Sequence, residues 1–129
     1  MKALITGGAG FIGSHLIDRL VARGDTVSVV DNLSSGVIEF IQGHIDSGAV
    51  TFHNADLKDL NGLIPLMDGI DMVYHLAANP DIRLGTKITD TDLKEGTIAT
   101  YNVLEAMRLS GVGKIAFASS SVVYGEGAP

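Results

Sequence analysis

The chain has 129 residues, the size of one ordinary domain, and 46% of them are hydrophobic, enough to fill a core. Nine Lys and Arg against fifteen Asp and Glu leave a net charge of −6, which repels phosphate backbones and anionic bilayers and argues against nucleic-acid and membrane partners. Cysteine is absent, so disulfides and thiolate metal sites are excluded.

The opening run "KALIT" reads as a buried strand, and its apolar stretch breaks at Gly7, too short for a secretory signal. No segment approaches the ~20 apolar residues of a membrane span, and the expected compartment is the cytoplasm. A glycine-rich turn follows, then a helix over about Phe11 to Arg23, with Ile12, Leu16, Leu20 and Val21 expected on its inward face and Gly24 at its end. "TVSVV" is a second strand ending at Asp31, and a short helix is expected within Val37 to Ile45. "VTFHN" is a third strand, and Asp59 to Met67 gives a helical turn or two, shortened or kinked by Pro65. "DMVYHLAA" is a fourth strand and residues 79 to 91 read as loop. Thr91 or Asp92 is expected to cap a long helix to about Ser110, and "KIAFAS" is a fifth strand. Apolar strands alternating with helices imply an α/β domain with a doubly wound parallel sheet.

The turn "TGGAGFIG" carries the chemistry. Two spacings satisfy a three-glycine fingerprint, Gly8, Gly10 and Gly13 or Gly7, Gly10 and Gly13. Either way, one glycine allows the tight bend, one lets the backbone approach a pyrophosphate, and one lets helix and strand pack closely. The helix N-terminus then offers unpaired N–H groups and partial positive charge to the anion. Asp31 lies 18 residues beyond Gly13 at the end of the second strand, where it can accept from both hydroxyls of an adenosine ribose. Strand, turn, helix and acid in this order point to a Rossmann-type dinucleotide site with strand order 3-2-1-4-5. The acid opposes a 2′-phosphate, and no Arg or Lys occurs between Asn32 and Phe40, so NAD is favoured over NADP.

The stretches "TGGAGFIGSHL", "VVDNLSSG", "NADLKD", "VYHLAA", "TYNVLEAMR" and "FASSSVVYG" together resemble the extended branch of the short-chain dehydrogenase/reductase family. Within it the likeness is to NAD-dependent epimerases and dehydratases of sugar nucleotides, most of all 4-epimerases of the UDP-glucose/UDP-galactose type. The resemblance implies that Phe11 and Ile12 lie at the pyrophosphate with Gly7, Gly10 and Gly13, and that Asp31 and Asn32 hold the ribose. It puts Ser34, Ser35 and Gly36 in the neighbouring loop, Asp56 and Leu57 at the adenine, and Leu76, Ala77 and Ala78 along the dinucleotide. On the residues alone, an N-cap before "LKDL" is the lesser alternative for Asp56.

By the same resemblance Ser120, or Ser121 beside it, hydrogen-bonds the reacting hydroxyl of a UDP-sugar or other sugar nucleotide. A homodimer through helices that include Tyr101 to Arg108 is implied too. Oxidation at the sugar's C4 needs a base, which the family supplies as Tyr-x-x-x-Lys. Tyr74, Tyr101 and Tyr124 are followed four residues later by Ala78, Glu105 and Ala128, so that motif does not occur here. The expectation is therefore the front, cofactor-binding portion of a longer enzyme, able to bind NAD but not to turn over.

A second departure is "GTIAT", where Gly96 stands in place of a family Asn and weakens the helix by about 1 kcal/mol relative to Ala. The Thr-Asp-Glu of sugar-nucleotide 4,6-dehydratases is replaced by Ser120, Ser121 and Val122, which removes their proton donor. Decarboxylases and other epimerases stay open, as does a non-catalytic dinucleotide sensor on the same fold. His15, His44, His53 and His75 are too scattered for a metal site, and none is expected. Arg83 reads either as a contact to a substrate phosphate or as an ordinary loop residue, and the carboxylates of "DTDLKE" as capping and first-turn charge.

Overall fold

Along β1 (Lys2–Thr6) the side chains of Ala3 and Ile5 enter one core while Leu4 enters another, and all are fully buried. A strand apolar on both sides has to be covered on both sides, which is why its sequence reads as a continuous apolar run. In this computed structural model, which describes residues 1–81, 83–125 and 127 (121 and 122 by backbone alone), β1 is the centre of a five-stranded parallel sheet. Its partners are β2 (Thr26–Asp31), β3 (Val50–Asn54), β4 (Met72–His75) and β5 (Ile115–Phe117), in the order β3-β2-β1-β4-β5. The register brings Thr6 beside Val30 on one side and His75 on the other. The chain leaves β1 in one direction and returns to its other flank at β4. A crevice opens at such a reversal, beyond the carboxyl ends of the strands.

The helix α1 (Phe11–Ala22) covers the Ala3–Ile5 face, joined by α2 (Gln42–Asp46). It ends in paired reverse bonds, from Asp25 N–H to Leu20 O at 3.0 Å and from Gly24 N–H to Val21 O at 2.9 Å. The inward face differs from the expectation. Ile17 and Leu20 are buried with Gly13 and Ser14, and Leu16 and Val21 pack at the margin, but Ile12 is 68% exposed. Ile12 borders an open cleft at the start of the helix instead of entering the core.

The opposite face is covered by α3 (Leu60–Leu63) and α4 (Ala99–Ser110), with Leu63, Val103, Ala106 and Met107 around Leu4, Val30 and Val73. Burying each of these large side chains contributes about 1.5–3 kcal/mol. Short 3₁₀ turns at Ile38–Phe40 and Ile64–Met67 break the two predicted short helices, the latter with Pro65 in its first turn. The expected cap at Thr91 or Asp92 is not made. Thr91 has helical dihedrals and no capping bond, the Asp92 carboxylate instead takes the Asn79 amide at 3.2 Å, and a π-helical turn over Asp92–Ile98 precedes α4. Among the described residues no helix is long and apolar enough to cross a membrane.

Candidate functional site

Gly7 follows β1 with φ +71°, a conformation that disfavours any side chain. A Cβ there would stand 2.8 Å from the Ala77 nitrogen, so the Ala77 backbone lies directly against the turn. At Gly13 it would meet Gly7 O and Gly8 Cα at 2.6 Å. Gly8 points the other way, onto Val29, and the spacing that builds the cleft is therefore Gly7, Gly10 and Gly13. Gly10 is the N-cap of α1 and has no side chain to satisfy the first turn. The Ser14 amide bonds Gly10 O, so the amides of Phe11, Ile12 and Gly13 have no carbonyl within the helix. Three donors and the positive end of the helix dipole thus meet at the mouth of a cleft of about 390 Å³.

Every residue assigned to the cofactor lines that cleft: Gly7, Gly10, Phe11, Ile12 and Gly13 from the turn, Asp31, Asn32, Ser34, Ser35 and Gly36 beyond β2, Asp56 and Leu57 beyond β3, and Leu76, Ala77 and Ala78 beyond β4. Asp31 is oriented by two backbone amides, Ala9 N–H to Oδ2 at 3.0 Å and Leu33 N–H to Oδ1 at 2.8 Å. Leu33 takes φ +57° to make its bond, a backbone cost that only a fixed surrounding sustains. Gly36 allows the loop to close, since a Cβ there would lie 2.9 Å from Asp31 Oδ1. Each carboxylate oxygen keeps spare lone-pair capacity, the acceptor set that a ribose diol needs.

Asp56 is not the cap of α3. That position belongs to Asp59, which accepts from Gly62 N–H at 3.1 Å. Asp56 folds its own loop by accepting from Lys58 N–H at 2.8 Å, and its other oxygen takes Asn32 Nδ2 at 3.4 Å and Lys58 Nζ at 3.1 Å. Burial alone raises the Asp56 carboxyl, but the Lys58 and Asn32 donors outweigh it and hold it below the usual carboxylate range. Lys58 continues to Glu95 at 2.5 Å, and this bond first, then Asp56, holds its ammonium above the ordinary value against the effect of burial. Glu95 itself lines the cleft from the π-helical turn, where it is more than first-turn charge.

Sequence reasoning missed Val30, Ala55, Pro80, Glu95, Ala99 and Ala118 in the lining, and it missed Asn102, whose buried amide donates to Leu57 O at 2.9 Å. The amide signal was present in "TYNVLEAMR", since an Asn within a buried helix face needs a partner. Ser120 follows β5 two residues beyond Ala118 and is exposed, with its carbonyl accepting from Val123 N–H at 3.3 Å. The backbone of Ser121 opens a 3₁₀ turn, Ser121–Tyr124, and its side chain lies outside the described ones. Arg83 is 94% exposed, 3.9 Å from Asp81.

A strand order reversing at β1/β4, a side-chain-free turn and a helix mouth over the reversal define a Rossmann-type fold. A family model described as the NAD dependent epimerase/dehydratase family matches residues 3–129, and the chain belongs to that family. It is 38% identical over 128 residues to the UDP-N-acetyl-alpha-D-glucosaminuronate decarboxylase of Bacillus cytotoxicus, covering 99% of this chain and 39% of that protein. A solved UDP-galactose 4-epimerase is 47% identical with TM-score 0.85, over 100% of this chain and 41% of the other. The UDP-glucose-4-epimerase of Stenotrophomonas maltophila, solved with NAD and formylated UDP-arabinopyranose, is 35% identical with TM-score 0.89, over 97% and 38%. The chain thus spans about two fifths of the length of each of these three proteins.

Proposed function

We propose that the cleft binds NAD and that these residues are the cofactor-binding part of a sugar-nucleotide 4-epimerase of the UDP-glucose/UDP-galactose type. The observation that carries the reading is the pairing of the free amides at the start of α1 with the Asp31 carboxylate, across one cleft whose glycines leave no room for side chains. The amides of Phe11, Ile12 and Gly13 bind the pyrophosphate, and Asp31 accepts from the adenosine ribose. Asp56 and Leu57 flank the adenine, and the small residues Ala77 and Ala78 let the dinucleotide run close to the backbone.

When bound, NAD supplies reversible hydride exchange with a carbinol carbon of the sugar. Ser120 orients the sugar hydroxyl at that carbon. These 129 residues contain no Tyr-x-x-x-Lys, so the activity proposed for them alone is binding. The exposed Tyr101 and Leu104 of α4 are where this reading puts a homodimer contact, and it assigns the protein to the cytoplasm. A decarboxylase acting on a UDP-sugar acid is the second reading, favoured by the 38% identity to such an enzyme.

Calorimetric titration tests the binding reading. Asp31→Ala is expected to weaken NAD binding by about 1.5–3 kcal/mol, as for a lost hydrogen bond to a charged group. NADP is expected to bind more weakly than NAD. Equal affinity of wild type and variant, or of the two cofactors, contradicts the role of Asp31.

A further inference from the structure

His75 ends β4 and is 1% exposed, and nothing in the cofactor reading uses it. Its Nδ1 lies 2.6 Å from Thr6 Oγ1 and its Nε2 lies 2.9 Å from Thr100 Oγ1. Thr6 and His75 are register partners across β1 and β4, and Thr100 is the second residue of α4. The same Thr6 oxygen accepts from Ala77 N–H at 3.3 Å. A threonine hydroxyl carries one proton, and Thr6 is fully buried. Among the described residues its polar side-chain partners are Ala77 N–H, which only donates, and His75 Nδ1. The Thr6 proton therefore points at Nδ1, which is the bare nitrogen, and Nε2 carries the ring proton toward Thr100.

We infer that His75 is a positioning residue of the cleft, a neutral Nε2–H imidazole that ties Thr6 to Thr100 and so fixes the Ala77 amide against the glycine turn. The inference rests on the reading of the cleft as a dinucleotide site. Ala77 is the residue whose nitrogen would sit 2.8 Å from a Gly7 Cβ, and Leu76, Ala77 and Ala78 line the cleft. Thr100 adjoins Ala99, which lines the opposite wall where α4 emerges from the π-helical turn. One ring thus sets the floor and one wall together.

Protonating the ring would put an N–H against the Thr6 hydroxyl and leave that hydroxyl's proton without an acceptor. Among the described residues, the groups in contact with the ring are Thr6 from β1, Thr100 from α4 and Phe117 from β5, whose ring centre is 5.5 Å away, and none of these is charged. Burial likewise holds the imidazole below its ordinary pKa.

The test combines imidazole ¹⁵N spectra of the protein with two variants. The expected spectrum is a neutral Nε2–H ring that persists below the pH at which an ordinary imidazole protonates. His75→Phe fills the space and removes both bonds; it is expected to shift the Ala77 amide resonance and to weaken NAD binding about tenfold. Thr100→Val leaves Nε2–H without its acceptor. It is expected to move the Nε2 resonance and to weaken NAD about threefold, and it decides the matter if His75→Phe does not fold. An Nδ1–H or charged ring, or variants with unchanged Ala77 and Nε2 resonances and unchanged NAD affinity, overturns the inference. Should wild type itself fail to bind NAD, the cofactor reading falls, and the tautomer with the Ala77 resonance still decides whether the linkage exists.

Discussion

At Gly7, Gly8 and Gly13 an added methyl group would land 2.8, 2.6 and 2.6 Å from a neighbouring atom, whereas at Gly96 it would meet nothing within 4 Å. Both segments border the same cleft, but they are held by opposite means. The turn after β1 is fixed by contact, because backbone at Gly7 and Gly13 and the Val29 side chain at Gly8 fill the space that side chains would take. The π-helical turn at 92–98 is fixed by polar ties: Asp90 with Lys94, Asp92 with Asn79, Glu95 with Lys58, and Thr100 with His75 just beyond it. Exposed ion pairs of this kind contribute little to stability because solvent screens them. The contrast teaches that one wall of the cleft is rigid by packing while the other is adjustable, and a π turn inside a helix is a common mark of such a functional wall.

The largest effect that would break this contrast is at the packed turn. Gly13→Ala drives a methyl into backbone atoms and is expected to cost about 3 kcal/mol in urea denaturation. A loss below about 1 kcal/mol would mean that the turn yields as readily as the other wall.

The His75 tie sharpens the contrast through pH. Its folded pKa is depressed, so above about pH 6.5 its contribution is complete. Below that value the unfolded chain takes up a proton that the folded chain refuses. Stability then falls by about 1.4 kcal/mol per pH unit until the folded pKa is reached. The denaturation midpoint followed downward from pH 7 should fall more steeply in wild type than in His75→Phe, and equal slopes would remove His75 from the account.

Gly96→Ala is the smallest change. With open space around it, the variant is expected to gain up to about 1 kcal/mol in thermal unfolding from helix propensity. A destabilised variant would show that the π turn depends on glycine there.

These regions also differ in how far they could be read from the residues alone. The turn was legible because its demands are steric and local: only glycine meets them, and strand, turn, helix and Asp31 all fall within 31 residues. The order of the five strands followed from the Rossmann-type assignment, since alternation alone gives a parallel sheet but not its order. Ile12 misled, since a 3.6-residue period identifies an apolar face but not whether a residue on it meets the core or an open cleft. Asp92 misled because its partner Asn79 sits on a separate loop, and the apparent cap residue had a better acceptor role elsewhere. Asp56 read as a cap or a ligand contact, and the cap of α3 belongs to Asp59 instead. His75 looked like an ordinary strand residue because Thr6 and Thr100 lie far from it in sequence and meet it only in the folded sheet.

The central claim is that NAD lies across the carboxyl ends of the strands with its diphosphate on the first turn of α1. Amide chemical-shift mapping during NAD titration tests it most directly. The account predicts saturable changes concentrated at residues 7–13, 31–36, 56–57 and 76–78, with the Phe11, Ile12 and Gly13 amides among the largest. Saturable binding that leaves those three amides unmoved, or no saturable binding at all, would contradict it.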